Sequence, residues 1–494
     1  MPQGIEKALQ SLNERLTARA LRIWQGERPT ASQQNIYEGY EHLLSPEAVL
    51  RARKALGNSA MGRRIFHTLV GHSLQYQVAP YENELFTWMK GAAAHINGEK
   101  IYFKDILYWC QKRSDTASRR ILEKESSSLC KFLKPFALEY WQFFLQLLAE
   151  EFGYQNYTSY CKDKKLLDYE HYVTEVRTLL EATSSLYFRA MEQWVERTLG
   201  LPLHELNRFD AIYLLGLAEF DIFFPQSPTL PELLAFFDHW HIDVLHTPAL
   251  HLDIDFSPRK GAQAMSFALR IPDNVYLVMN PQGGWIDVET LFHEMGHALS
   301  TVYTSADLSA PEKDFYPSNT LSETYAFLLQ NMSLSPYFLR RYFELPEEHI
   351  ETLSYHKTLK DLAVFRRYAG KFLAEYEMFS SGDMASGEAY ARILKEHTGF
   401  TYKPETQLFD LAPEFYSLDY LISWMAEATL EGVLVNTLGP EWMFKEAAGE
   451  LLRKWWSQGN QLELRDFFAH NGLGEIDGRD LLQRWTSVIQ SSSP

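Results

Sequence analysis

His293, Glu294 and His297 stand in an H-E-x-x-H pattern within Val288–Val302, VETLFHEMGHALSTV. On one helix, imidazoles four residues apart leave the same face with Cβ atoms roughly 5–6 Å apart. That spacing lets both reach one metal ion through bonds of about 2.0–2.1 Å. Glu294 lies beside them, placed to touch a water at the metal without ligating it, which is the position of a general base in metal-assisted hydrolysis.

The elements around the motif favour such a helix. Val288, Leu291, Phe292, Met295, Leu299 and Val302 repeat with the i, i+3, i+4, i+7 spacing of an amphipathic helix, and the stripe is centred opposite the two histidines. Asp287 is a candidate N-cap, Glu289 falls in the first turn, and Gly283-Gly284 breaks what precedes. Gly296 lowers helix propensity between the ligands and suggests close approach of another element. The pattern also arises by chance on ordinary helices, so it needs a third ligand.

Glu323 meets that need. It lies 26 residues beyond His297, past a Ser/Asp/Pro-rich loop at 305–317, on a helix opening near Ser318-Asn319 whose other face carries Leu321, Tyr325, Leu328, Leu329 and Met332. Zinc held by two histidines takes a third protein ligand and keeps a fourth position for water, lowering the pKa of that water to about 7. Before the motif the chain changes texture. Leu252, Ile254 and Phe256 alternate with polar neighbours, 262–270 reads as a second extended run, and Val275–Asn280 as a third after a turn at Pro272-Asp273-Asn274. These runs imply a small antiparallel sheet leading into the metal helix, structural in itself or offering an edge to an extended peptide.

Composition bounds the partners. In 494 residues, 47 Lys+Arg against 64 Asp+Glu give a net charge of −17, which disfavours nucleic acid and anionic membranes. Hydrophobic residues at 46% supply a large core. Cys110, Cys130 and Cys161 match neither a zinc site nor a disulfide framework. With no leader-like N-terminus and no long apolar run, the expectation is a cytoplasmic protein. Residues 1–200 read as helix after helix, an N-terminal helical lobe, and 201–494 as the catalytic region, with a turn at Pro225–Pro228 and a frayed Ser491–Pro494 tail. A long helical stretch at 351–379 precedes Glu414–Leu434, where Tyr416 and Tyr420 stand four apart on one face.

HEMGHAL followed by LSETYAF around Glu323, the approach FALRIPDNVYLVMNPQGG, and FYSLDYL around Tyr416 and Tyr420 resemble the gluzincin metallopeptidases, most closely the thimet oligopeptidase and oligoendopeptidase F family, over about residues 250–436. The resemblance implies a mainly α, zincin-type, two-lobed fold with a deep cleft and a small sheet near the metal helix. It implies one zinc on His293, His297 and Glu323, Glu294 as base, and Tyr420 with Tyr416 as phenols stabilising the oxyanion. The expected activity is hydrolysis of internal bonds in short unstructured peptides. Metallocarboxypeptidase or dipeptidyl carboxypeptidase action of the same chemistry is the first alternative, with Arg366 and Arg367 as candidate cations for a terminal carboxylate. A catalytically silent peptide-binding protein is the second. The family's histidine shortly before the tyrosines has no counterpart in TQLFDLAPEF.

Overall fold

The computed structural model describes residues 2–27, 36–224, 230–261, 263–343 and 345–491. The Pro225–Pro228 turn, the first position of the 262–270 run and all but the first residue of the C-terminal tail lie outside them. The principal helices are α1 (Pro2–Trp24), α2 (Ala60–Gly91), α3 (Thr116–Glu150), α4 (Tyr169–Leu199), α5 (Trp285–Val302), α6 (Thr320–Ser333), α7 (Glu347–Ser381), α8 (Tyr416–Leu438) and α9 (Glu446–Trp456). The strands are β1 (Ala93–Ile96), β2 (Glu99–Tyr102), β3 (Leu250–Asp253), β4 (Met265–Arg270) and β5 (Asn274–Val278). The fold is mainly α. No described helix is long and apolar enough to cross a membrane.

The chain forms two compact units from interleaved stretches. One comprises Met1–Leu69, Glu219–Ser354 and Ile422–Arg484; the other comprises Val70–Ala218, Tyr355–Leu421 and Trp485–Pro494.

In the first unit a three-stranded sheet in the order β3-β5-β4 packs between α1 and α5. The β4–β5 pair is the antiparallel hairpin that the sequence suggests, whereas β3 runs parallel to β5 on its far side. The alternation of apolar residues marks an extended segment but carries no information on direction, so this parallel pairing was not legible. Phe267 and Val278 face Leu21 of α1, with the Trp24 and Phe267 rings 5.8 Å apart. Behind α5, the Phe292 ring meets those of Phe236, Phe237 and Phe338 at 5.7, 5.7 and 5.2 Å. Five of the six predicted stripe residues of α5 are fully buried there.

The second unit corrects the reading of the N-terminal region as purely helical. β1 and β2 form an antiparallel hairpin in which Ile96 pairs with Glu99, turning through Asn97 (φ 51) and Gly98 (φ 86). Two successive left-handed residues are what a two-residue hairpin turn requires, and Asn-Gly is its strongest sequence signal.

Candidate metal centre

α5 presents His293 and His297, and α6 crosses it to bring Glu323 between them. Glu323 Oε2 lies 3.5 Å from His293 Nε2 and 3.6 Å from His297 Nε2. The ligand atoms of all three residues fall within 4.8 Å of one another. Donors about 2.1 Å from an ion at tetrahedral angles sit about 3.4 Å apart. The set therefore has the separations of three ligands around one ion. Neither contact is an ion pair, because both imidazoles are held neutral. Burial lowers His293 to about 4, and burial together with its neighbour takes His297 well below its usual value.

The crossing depends on Gly296. A Cβ there would lie 2.5 Å from Ala326 Cα, 2.6 Å from Tyr325 O and 2.9 Å from Ala326 N. Only a residue without a side chain admits the α6 backbone at this point. Upstream, Gly284 (φ 102) caps α5, and a Cβ on it would meet Asp221. The Asp221 carboxylate accepts from Trp285 N at 3.3 Å. Asp287 is therefore not the N-cap. It sits inside the first turn and accepts from Gln282 N at 2.9 Å and Gly283 N at 2.5 Å, tying down the entering loop.

Both imidazoles are held from behind. His293 Nδ1 lies 2.7 Å from Gln330 Oε1, and Gln330 Nε2 donates to Glu289 Oε1 at 3.1 Å. A carboxylate can accept from the nitrogen of an amide but not from its oxygen, so Gln330 turns its oxygen to His293 and keeps the proton on Nδ1. His297 Nδ1 lies 2.8 Å from Ser322 Oγ. His293 thereby aims its Nε2 lone pair inward, and the Ser322 hydroxyl holds the His297 ring in place, the kind of support that orients histidine ligands to metals. Gln330 and Ser322 were not singled out in the sequence, and Glu289 was read only as a first-turn acid, although Glu289 precedes His293 by four residues and Gln330 follows Glu323 by seven, both repeats of one helix face. Replacing Gln330 by leucine is expected to weaken zinc affinity about 10–100-fold while leaving the helical circular dichroism intact, as read by competition with a chromophoric chelator.

Glu294 is buried at 9% exposure. Burial lifts its carboxyl to about 7, opposed by a hydrogen bond from the Ser266 backbone of β4. A cation bound beside it would lower that value again. Through Ser266 the edge strand of the sheet touches the motif directly.

Tyr416 and Tyr420 belong to the second unit, on α8, with rings 5.0 Å apart and Tyr420 also 5.0 Å from Tyr368. Just before them Glu414 and Phe415 both adopt left-handed backbone, at φ 54 and 53. Such strain in non-glycine residues persists only where the surroundings over-determine it. Lys164 Nζ grips both Glu414 oxygens at 2.7 and 2.6 Å, and the Phe415 ring is wedged against Tyr169 and Phe379 at 5.0 and 5.5 Å. Arg366 and Arg367 lie in the same unit and are spent on packing. Arg366 is fully buried and donates to His397 O and Leu180 O at 2.7 Å, and Arg367 bonds Asp410 at 2.5 Å. Neither fits the role of a cation held for a substrate's terminal carboxylate.

Comparison with solved structures finds the same architecture in peptidases. A structure of PZ peptidase A with an inhibitor superposes with a TM-score of 0.68 over 93% of this chain and 87% of that one, at 13% sequence identity. A structure described as oligoendopeptidase F from Bacillus anthracis str. Ames gives 0.60 over 98% and 84%, again at 13%. This chain shares their fold. A further oligoendopeptidase F structure gives 0.65 over 93% and 83%, at 13% identity. No family model and no curated sequence matches the chain.

Proposed function

We propose that the protein is a zinc-dependent peptidase that hydrolyses internal bonds of short, unstructured peptides. The observation that carries this reading is the convergence of His293, His297 and Glu323 on one point, with a buried carboxylate, Glu294, on the next residue of the same helix. The proteins that share the fold are peptidases by name. Two imidazoles and one carboxylate suit zinc better than magnesium or calcium, which prefer oxygen shells.

In this reading His293, His297 and Glu323 hold the ion, while Gln330 and Ser322 keep the two rings in register. When bound, zinc supplies Lewis acidity, the means of making water nucleophilic near neutral pH and of polarising a carbonyl. Glu294 takes the proton from the attacking water and returns it to the leaving amine. The Ser266 amide keeps that carboxylate at the sheet edge, along which an extended peptide pairs with β4. The family resemblance implies a phenol that donates to the developing oxyanion, and Tyr420 and Tyr416 are the candidates for it. Burial supports this substrate class: His293 and His297 side chains are 15% and 19% exposed and Glu323 3%. A bond in a folded domain does not reach atoms so placed, whereas an extended chain does. The three thiols, all free and buried, suit a reducing cytoplasm.

One experiment tests the reading: metal analysis of the purified protein together with a mass-spectrometric digest of peptides blocked at both ends. Close to one zinc per chain and internal cleavage are expected. Release of residues only from a free C-terminus would assign the site to a carboxypeptidase, and zinc without any cleavage would leave a peptide-binding protein.

A further inference from the structure

Beside the metal centre, within the same unit, a cavity of about 60 Å³ opens between the end of β4, the C-terminal half of α5, the start of α6 and α9. It has room for several waters, or for the end of one acidic side chain. Its wall includes Ala268, Ser322, Tyr325, Trp456 and a single charged residue, Lys313. Two of these groups carry unmet demands. The Tyr325 hydroxyl and Trp456 Nε1 are buried, and neither has a hydrogen-bond partner among the described residues. An indole N–H can only donate, and a buried donor left without an acceptor is disfavoured by about 1–3 kcal/mol. The hydroxyls of Ser300, Thr301 and Thr304 turn their protons to carbonyls of α5 at 3.0, 2.8 and 2.9 Å and do not bond either group. Acidic neighbours do not claim the cation fully. Glu312 is engaged by Ser309 and Asp314 by Asn13, while Lys313 Nζ donates to Ala306 O at 3.0 Å and retains two further protons.

The cavity is in register with the chemistry. Ser322 forms part of its wall and holds His297. Along β4, Ser266 touches Glu294 and Ala268 lines the cavity. Two strand residues span about 7 Å. A peptide paired with β4 and cleaved at Glu294 thus passes the cavity within about two residues of the cleaved bond.

We propose that this cavity is a subsite for a carboxylate of the bound peptide, received by Lys313, Tyr325 and Trp456. It rests on the peptidase reading above. The carboxylate comes from an aspartate or glutamate side chain or from the peptide's C-terminus, and the two sources are separable by experiment.

The test uses the zinc-loaded Glu294→Gln variant, whose hydrolysis is slowed by about 10²–10⁴-fold, and fluorescence anisotropy of labelled peptides of about ten residues read before cleavage. One arm compares peptides that differ only by Glu against Gln within two residues of the centre. The other compares free-acid with amidated C-termini. In one arm the carboxylate form is expected to bind at least about tenfold tighter, the worth of one charge-assisted hydrogen bond. That ratio should fall towards one with Lys313→Ala and decrease with Tyr325→Phe. Removing an idle buried hydroxyl would raise thermal stability and leave the ratio alone, so Tyr325→Phe separates a binding role from a structural one. A ratio near one in both arms, or one that either substitution leaves intact, overturns the proposal. Absence of any peptide binding with zinc content normal would bring down the peptidase reading first, and the subsite with it.

Discussion

Glu294→Gln is expected to reduce peptide hydrolysis by about 10²–10⁴-fold while zinc content stays at the wild-type level. The amide keeps the shape of the side chain and its oxygen still accepts from the Ser266 backbone, so the contact with β4 survives. What it cannot do is take a proton. Stability should not suffer, because burial opposes the charge of this carboxylate in the folded protein and the amide has none to oppose. The loss should therefore appear in kcat/KM with an unfolding midpoint no lower than that of the native protein, which separates it from a folding defect. Metal analysis decides the role. A variant that loses zinc would make Glu294 a ligand, and a variant that keeps hydrolysis would remove it from the chemistry altogether.

Much of this centre was legible because its information is local. Within α5 the two histidines, the apolar stripe and Gly296 all lie in fifteen residues, and helical periodicity alone places the histidines opposite the core. Glu323 was accessible because the two histidines demanded a third donor and only a turn-back separates the helices. What supports the ligands was not legible. Asp221 caps α5 from 64 residues away, and Ser266 reaches Glu294 from another element. Such partners are chosen by packing, which leaves no spacing to read. The Gln330–Glu289 pair lies between these cases. Each member repeats the face of its own helix, yet nothing short of the crossing of α5 and α6 brings them together at 3.1 Å. The Asn97-Gly98 turn is different again. Its signal stands in the sequence, inside a region that reads as helix after helix.

Gly296→Ala is the second substitution expected to have a large effect, and two contributions of opposite sign decide it. In an exposed helix this change is stabilising by about 1 kcal/mol, since glycine is the poorer helix former. Here the new methyl would sit 2.5 Å from Ala326 Cα and 2.6 Å from Tyr325 O. Both are backbone atoms, so no rotamer change relieves the contact, and α6 must move away by about 1 Å to reach ordinary carbon–carbon separations near 3.5 Å. Overpacking of this kind destabilises by about 1–3 kcal/mol, which exceeds the gain in propensity. The displacement matters more than the energy. Glu323 travels with α6, and a shift of about 1 Å is several times the ±0.2 Å tolerance of a metal–ligand bond. Zinc affinity should fall by at least the 10–100-fold typical of lost support around a ligand, with hydrolysis following it. Chelator competition and thermal unfolding of the metal-free protein read the two effects separately. Gly71→Ala, in α2 where an added Cβ meets nothing within 4 Å, serves as the control and should be neutral or stabilising. If Gly296→Ala binds zinc as tightly as the native protein, the contact between α5 and α6 is not what positions the third ligand.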